Sequence, residues 1–206
     1  MNPTSRSLAI LFTAVAVFGG ALFLYLAIER GPATTMHATR LPQPVSLPEF
    51  SLIDQHGVSF DRDSLRGSTT LVFFGFTNCP DVCPATLSQL AMARRAYVDQ
   101  FGERDAPRIL LVSVDPERDT PEAMAAYVSH FGPGVTGVTG SVDEIRRLTS
   151  AVGVYFARSG DGDVYNVDHS TAVLVVDGNG QFVAVFGAPH SVDAFVTDLP
   201  LLTEAG

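Results

Sequence analysis

Residues 70–84 read TLVFFGFTNCPDVCP, and this stretch decides the fold class. Its apolar run, residues 70–76, is nearly continuous and bounded by turn-forming residues, which is typical of a central strand buried on both faces. Pro84 suits the first turn of a helix, and the apolar positions after it recur near the 3.6-residue period as far as about Phe101. The sequence therefore predicts a buried strand that passes through a short cysteine-containing turn into a long helix.

The rest of the chain alternates strand and helix patterns. The expected strands are residues 50–53, 58–60, 108–114, 171–176 and 181–186. The turn sequence DGNG, at 177–180, joins the last two as a hairpin. Thr120 and Ser141 are expected N-caps of two further helices, and a closing helix is expected over residues 191–199. This order predicts an α/β fold, a thioredoxin-like domain with a central mixed sheet flanked by helices.

Length and composition exclude several classes of protein. A chain of 206 residues accommodates one domain of ordinary size plus an appendage. The net charge of −9 argues against nucleic acid as a partner, because nucleic-acid binding needs a basic surface. All 13 basic residues are arginines, so chemistry that needs a Schiff-base lysine or a P-loop lysine is excluded.

An uncharged apolar segment near the N-terminus predicts one transmembrane helix ahead of the domain. Residues 8–28 (LAILFTAVAVFGGALFLYLAI) would form about 31 Å of helix at about 1.5 Å per residue, close to the hydrocarbon thickness of a bilayer. The segment is longer than the apolar stretch of a cleaved signal peptide, which stays open as the alternative. The short N-terminus favours a single-pass protein of the bacterial inner membrane with its soluble domain facing the periplasm.

This anchor divides the chain into four parts. Residues 1–7 are expected to be a short cytoplasmic N-terminus, and residues 8–28 the transmembrane anchor. Residues 29–47, rich in Pro, Thr and Ala and without a hydrophobic period, are expected to be a tether. Residues 48–206 are expected to be the thioredoxin-like domain.

The two cysteines, Cys79 and Cys83, lie between the central strand and its helix. Orphan N–H groups and the helix dipole stabilise a thiolate there, and we expect them to lower the cysteine pKa. Side chains at i and i+4 share one helix face, with Cβ atoms roughly 5–6 Å apart. The spacing is compatible with a structural disulfide, a redox-active dithiol, or a soft-metal site made of two thiolates and further ligands.

A histidine could complete a two-thiolate site for copper(I). His169 is the best candidate because it is expected in a loop just before the strand 171–176, and in a thioredoxin-like sheet the loops beside the central strand ends can approach the first β-α turn. The competing histidines are His37, His56, His130 and His190.

Three motifs together resemble the Sco/SenC family. They are FFGFTNCPDVCP at 73–84, SVDPERDTP at 113–121 and DHST at 168–171, and the resemblance extends over about residues 48–199. It implies a thioredoxin-like fold and a copper site in which Cys79 and Cys83 are the thiolate ligands and His169 the imidazole ligand. Such a site suits Cu(I), and an additional ligand could accommodate Cu(II). Asp115, Arg118 and Asp119 match an acidic-basic segment of the family, either as a loop network or as a docking site for a partner.

The resemblance also implies a function, a metallochaperone that helps assemble the dinuclear copper centre of cytochrome c oxidase. The implied partner is the copper-receiving subunit of that oxidase, with other copper chaperones or thiol reductants as further partners. The alternative is an enzyme, a thiol-disulfide oxidoreductase in which Cys79 and Cys83 are the catalytic dithiol and His169 is not needed. A thiol peroxidase is disfavoured, because thioredoxin-like peroxidases usually place a threonine three residues before the reactive cysteine, whereas Thr77 lies two residues before Cys79. A scaffold protein with a vestigial site is disfavoured by the intact set of two cysteines and one histidine.

Overall fold

The computed structural model describes residues 16–21, 37–160, 162 and 165–203. Residues 16–21 are helical. The rest of the predicted anchor 8–28, the N-terminus 1–7 and residues 29–36 of the predicted tether lie outside the described residues. Within the described residues, no helix combines the length and apolar character that a membrane crossing requires.

The domain is built on an eight-stranded mixed sheet with four helices among its described residues. The strands are β1 Thr39–Ser46, β2 Ser51–Asp54, β3 Ser59–Asp61, β4 Thr70–Gly75, β5 Arg108–Ser113, β6 Val135–Thr139, β7 Phe156–Ser159, β8 Asn166–His169, β9 Val173–Val176 and β10 Gln181–Phe186. The helices are α1 Val82–Phe101, α2 Pro121–Val128, α3 Val142–Ala151 and α4 Val192–Thr203. A short 3-10 helix, Asp63–Leu65, comes after β3, and another, Ser129–Phe131, comes after α2.

The order of strands in the large sheet is β1-β10-β9-β4-β5-β6-β2-β3, with β7 and β8 paired in a separate hairpin. Strands β4, β5 and β6 are parallel, and the other pairs are antiparallel. All six residues of β4 are buried, and the neighbours Phe73 and Phe74 are both nearly inaccessible, so the sheet is covered on both faces. The predicted α/β architecture with a mixed sheet is confirmed.

Local sequence signals account for the starts of α2 and α3. The Thr120 hydroxyl accepts a hydrogen bond from the Ala123 N–H (3.3 Å), and the Ser141 hydroxyl accepts one from the Glu144 N–H (3.3 Å). The Glu144 carboxylate does not close a capping box in this fold, because it accepts a hydrogen bond from the Ser51 N–H (2.9 Å) and so ties α3 to β2.

The sequence patterns do not predict three parts of the fold, which are strand β6, the β7–β8 hairpin and strand β1. Strand β6 has the sequence VTGVT, where Gly137 interrupts the strand pattern. A Cβ at Gly137 would lie 2.8 Å from the Met124 methyl carbon, so the close packing of α2 requires the glycine. The β7–β8 hairpin was also missed, and His169, expected in a loop, is the last residue of β8. Its strands are short and largely exposed, which leaves no apolar alternation to detect.

The predicted start of the domain at residue 48 is wrong. Strand β1 lies within the predicted tether and pairs with β10, from Thr39 opposite Val185 to Ser46 opposite Gln181. Its two prolines, Pro42 and Pro44, argue against a strand when the sequence is considered alone. An edge strand tolerates proline, because the backbone N–H groups on its unpaired side have no neighbouring strand to bond. The folded domain therefore includes the residues from His37 onward.

Asp198 of α4 fixes this first strand. Its buried carboxylate accepts hydrogen bonds from the backbone N–H groups of His37 (2.8 Å) and Ala38 (2.6 Å). The sequence gives no indication of this contact, because 160 residues separate Ala38 from Asp198.

We expect Asp198→Ala to lower the free energy of unfolding by about 1–3 kcal/mol, because it leaves two N–H groups without their acceptor. Chemical denaturation of the full chain measures the change. The matched control is Thr197→Ala on the exposed side of the same helix, which should stay within about 0.5 kcal/mol. Equal stability of the two variants would contradict the role of Asp198.

Candidate metal centre

The turn between β4 and α1 holds the two cysteines. The Cys79 N–H donates to the Phe76 carbonyl (3.3 Å), which closes a tight turn directly after the buried strand. Cys83 is the second residue of α1, and its N–H donates to the Cys79 sulfur (3.3 Å). Both cysteines are free thiols. Strand, turn and helix thus place two sulfur atoms side by side at one end of the sheet.

Gly75, the last residue of β4, makes room for the inner sulfur. A Cβ at this position would lie 3.0 Å from the Cys83 sulfur, 3.0 Å from a Phe73 ring carbon and 3.2 Å from a Leu111 methyl. The missing side chain therefore lets the Cys83 sulfur pack directly against the end of the central strand. Cys83 has no exposed surface, whereas Cys79 is 9% exposed.

His169 approaches the cysteines from the β7–β8 hairpin. Its Nε2 atom lies 3.4 Å from the Cys83 sulfur, and its Nδ1 atom lies 2.9 Å from the Ser170 carbonyl oxygen. Because a carbonyl can only accept, the ring proton belongs on Nδ1, and the Nε2 lone pair points towards the sulfur. Burial lowers the pKa of His169, which favours the neutral ring that a metal ion requires.

Two phenylalanines fix the plane of this imidazole. The rings of Phe73 and Phe76 meet it edge to face, at centroid distances of 5.9 and 5.8 Å. Phe73 lies in β4 and Phe76 directly follows that strand, so the strand that positions the cysteines also orients the histidine.

The three side chains form a group with the geometry of a metal site. The two sulfur atoms and a His169 ring nitrogen all lie within 4.8 Å of one another. An ion at about 2.0–2.3 Å from three ligand atoms in one plane needs those atoms about 3.5–4 Å apart, so small side-chain rotations suffice. Within the described part of the chain, this is the one such group of three or more candidate ligands, and the four competing histidines lie outside it.

The group is accessible from one side. A pocket of about 270 Å³ opens beside it and is lined by Cys79, His169, Asp81 and Asp168, among others. Cys83 does not line this pocket. A metal ion could therefore enter or leave along the side of Cys79 and His169.

Burial controls the protonation of Cys83. Loss of solvent, and after it the hydrogen bond with Cys79, raise the pKa of the Cys83 thiol far above its ordinary value. At Cys83, burial therefore outweighs the lowering of the cysteine pKa that was expected from the helix N-terminus. Cys83 is a neutral thiol at neutral pH, and a metal ion has to displace its proton.

Asp119 holds the backbone just before the cysteines. Its fully buried carboxylate accepts hydrogen bonds from the Thr77 hydroxyl (2.6 Å), the Thr77 N–H (3.2 Å) and the Ser113 hydroxyl (2.6 Å). Burial raises the pKa of Asp119, and the hydrogen bonds oppose that rise. The carboxylate thus joins the end of β5 to the turn that follows β4.

Asp115 and Arg118 act in the same loop. They form an ion pair, and both also contact Tyr165 just before β8. Together with Asp119 they make a loop network, one of the two roles that the sequence left open for this segment. Tyr165 was not predicted, since nothing in its neighbouring sequence distinguishes it from a surface residue.

Comparison with known proteins identifies the family. Residues 38–203 match the SCO1/SenC family. The chain belongs to the SCO1/SenC family. The matched residues include strand β1, so the family domain extends into the predicted tether.

Individual family members support the assignment. The chain is 33% identical to the protein sco1 of Schizosaccharomyces pombe over 187 residues, which cover 87% of this chain and 70% of that protein. A crystal structure of Arabidopsis thaliana ScoI with copper bound is 35% identical, covers 76% of this chain and 96% of its own, and has a TM-score of 0.70. Copper-bound yeast Sco1 is 31% identical, covers 79% and 91%, and has a TM-score of 0.72. The predicted Sco/SenC membership and thioredoxin-like fold are confirmed.

We expect Gly75→Ala to lower the free energy of unfolding by about 1–3 kcal/mol, because the new methyl would overlap the Cys83 sulfur and two core side chains. Denaturation of the reduced protein measures this change. Gly187→Ala is the control, since a Cβ there would have no neighbour within 4 Å. Equal effects at the two positions would contradict the close packing of the Cys83 sulfur.

We expect the Cys83 thiol to react slowly at neutral pH and faster as the pH rises. A raised pKa leaves little thiolate at pH 7, and the thiolate fraction grows about tenfold per pH unit until that pKa is reached. Alkylation of a Cys79→Ser variant between pH 6 and 10, followed by mass spectrometry, isolates this thiol. In denaturant the reactivity of the same thiol should have its midpoint at pH about 8.5, the ordinary pKa of cysteine. A folded-state midpoint near that value would contradict the expectation.

Proposed function

We propose that this protein is a copper metallochaperone that binds copper through the thiolates of Cys79 and Cys83 and the imidazole of His169. The observation that supports this most directly is the convergence of two sulfur atoms and one ring nitrogen within 4.8 Å. Solved structures of related Sco proteins from Arabidopsis thaliana and yeast have copper bound.

The ligand set favours copper(I) over zinc. Two soft thiolates and one imidazole suit copper(I), whereas zinc usually takes four protein ligands or a water in the fourth position. The His169 ring already has its Nε2 lone pair directed at the group, so binding requires no change of tautomer. Binding does require loss of the Cys83 proton.

The cargo is proposed to go to the dinuclear copper centre of cytochrome c oxidase, with the copper-receiving subunit of that oxidase as the acceptor. This part rests on the family resemblance. The apolar segment 8–28 supports an anchor in a bacterial inner membrane with the domain in the periplasm. Confinement of donor and acceptor to one membrane would raise their effective concentration.

The rival function is reduction of disulfides in the acceptor or in other periplasmic proteins. In that reaction one thiolate, Cys79 or Cys83, attacks the substrate disulfide, forms a mixed disulfide and releases one substrate thiolate. The other cysteine then attacks the mixed disulfide, which forms a Cys79–Cys83 disulfide and releases the second substrate thiolate. This reaction has no need of a histidine. The position of His169, 3.4 Å from the Cys83 sulfur, therefore favours copper binding as the main function.

We expect the reduced full-length chain to bind one copper(I) ion, and His169→Ala to weaken the affinity roughly 100-fold or more, because one of three ligands is lost. An anaerobic titration against a competing chelator measures both. The matched control is His130→Ala, an exposed histidine outside the group, which should bind like the wild type.

Two outcomes of this titration would contradict the metallochaperone function. If the wild type binds no copper tightly, or if His169→Ala binds as tightly as His130→Ala, the proposed metallochaperone function is wrong. A disulfide-reduction assay then distinguishes the rival, whose activity should survive in His169→Ala and be lost in Cys79→Ser.

A further inference from the structure

The three candidate ligands come from two separate pieces of the fold. Cys79 and Cys83 belong to the turn and helix that follow β4 in the large sheet. His169 belongs to the β7–β8 hairpin, which pairs only within itself. The spacing of nitrogen and sulfur therefore depends on what holds this hairpin against the large sheet.

Tyr165, directly before β8, contacts both pieces. Its hydroxyl donates to the Asp115 carboxylate (2.6 Å), and its carbonyl accepts a hydrogen bond from the Arg118 guanidinium (3.1 Å). Its ring lies between two guanidiniums, 3.8 Å from Arg118 and 3.7 Å from Arg158. Partial burial and the bond to Asp115 raise the pKa of Tyr165 to about 12, so the hydroxyl remains a donor at neutral pH. We call these four residues the hairpin clamp.

The hairpin clamp is fixed on the side of the large sheet. Asp115 is buried, and its N–H donates to the Ser113 hydroxyl (3.0 Å) at the end of β5. The ion pair with Asp115 holds Arg118, whose guanidinium also lies 5.9 Å from the centre of the Phe76 ring. Phe76 in turn contacts the His169 ring and accepts the Cys79 hydrogen bond. The clamp is therefore fixed to the large sheet and reaches the His169 ring through Phe76.

We propose that Tyr165 is a positioning residue of this centre, which holds the hairpin so that His169 meets the two cysteines. The proposal rests on the proposed copper site. Among the described residues, no hydrogen bond or ring contact joins Tyr165 to Cys79, Cys83 or His169, so Tyr165 acts through β8, Arg118 and Phe76.

The rest of the hairpin has its own attachments, so the clamp can be weakened without detaching it. Val167 is buried in the core, and Phe156 packs against that core. The Ser170 N–H donates to the Tyr155 carbonyl (2.9 Å), which continues the pairing within the hairpin beyond His169. The Ser170 hydroxyl accepts a hydrogen bond from the Tyr155 N–H (3.0 Å). Loss of the clamp should therefore loosen the position of His169 and leave the large sheet and the two thiols in place.

The test compares copper(I) affinity in the full-length chain with two substitutions at Tyr165. Tyr165→Phe removes only the hydroxyl, and Tyr165→Leu also removes the ring between the guanidiniums. By analogy with other groups that orient metal ligands, we expect about 10-fold weaker binding in the first and up to about 100-fold in the second. Tyr155→Phe and Tyr155→Leu are the matched controls, because Tyr155 lies directly before β7 of the same hairpin and is 63% exposed; both variants should bind like the wild type.

A double-mutant cycle with His169→Ala separates positioning from general destabilisation. If Tyr165 acts through His169, then Tyr165→Leu should weaken binding in the wild type and have no further effect in the His169→Ala background. The thiolate charge-transfer band of the copper(II) form should shift in the Tyr165 variants, whereas the alkylation rate of the cysteines should not change. Tyr165→Phe keeps the ring and serves as the readout if Tyr165→Leu does not fold.

Failure of this inference differs from failure of the proposed function. If the wild type does not bind copper tightly, the proposed function is wrong and the positioning role falls with it. If the wild type binds and the Tyr165 variants match the Tyr155 controls, only the positioning role is wrong. An equal loss in the wild-type and His169→Ala backgrounds would also overturn it, because Tyr165 would then act on the cysteines or on the fold.

Discussion

The central strand β4 is the constraint on which the site depends. All six of its residues are buried, and it is hydrogen-bonded on both sides, to β5 in parallel and to β9 antiparallel. Its end therefore cannot shift without disturbing the core. The turn that follows is closed by backbone hydrogen bonds and by Asp119, so both sulfur atoms inherit the rigidity of the strand.

The histidine side of the site is held in a different way. The β7–β8 hairpin is stabilised against the large sheet by polar and cation–π contacts, centred on Tyr165, and by the buried side chain of Val167. Such contacts are individually weaker than a continuous β ladder within an apolar core. One half of the candidate site is thus fixed by burial and the other by a small number of specific contacts.

This contrast also explains which parts of the molecule the sequence could predict. The strands β4 and β5, the helix starts at Thr120 and Ser141 and the cysteine turn follow from local patterns, because apolar runs and caps act over a few residues. The pairing of Asp198 with Ala38 and of Tyr165 with Asp115 joins residues 160 and 50 positions apart, and no local pattern indicates it. Strand β1 was missed because its prolines read as a tether, and β7 and β8 because short exposed strands have no apolar alternation.

Under the proposed metallochaperone function, the unequal burial of the two sulfur atoms has a consequence for the release of copper. Cys83 has no exposed surface, whereas Cys79 and His169 line the adjoining pocket. An acceptor thiolate that enters by this pocket would reach the metal on the side of Cys79 and His169. Because the metal-free Cys83 thiol is strongly disposed to be neutral, its proton competes with the ion at this buried position. The buried cysteine would therefore both hold the ion away from solvent and favour its departure once an acceptor has taken over the exposed side.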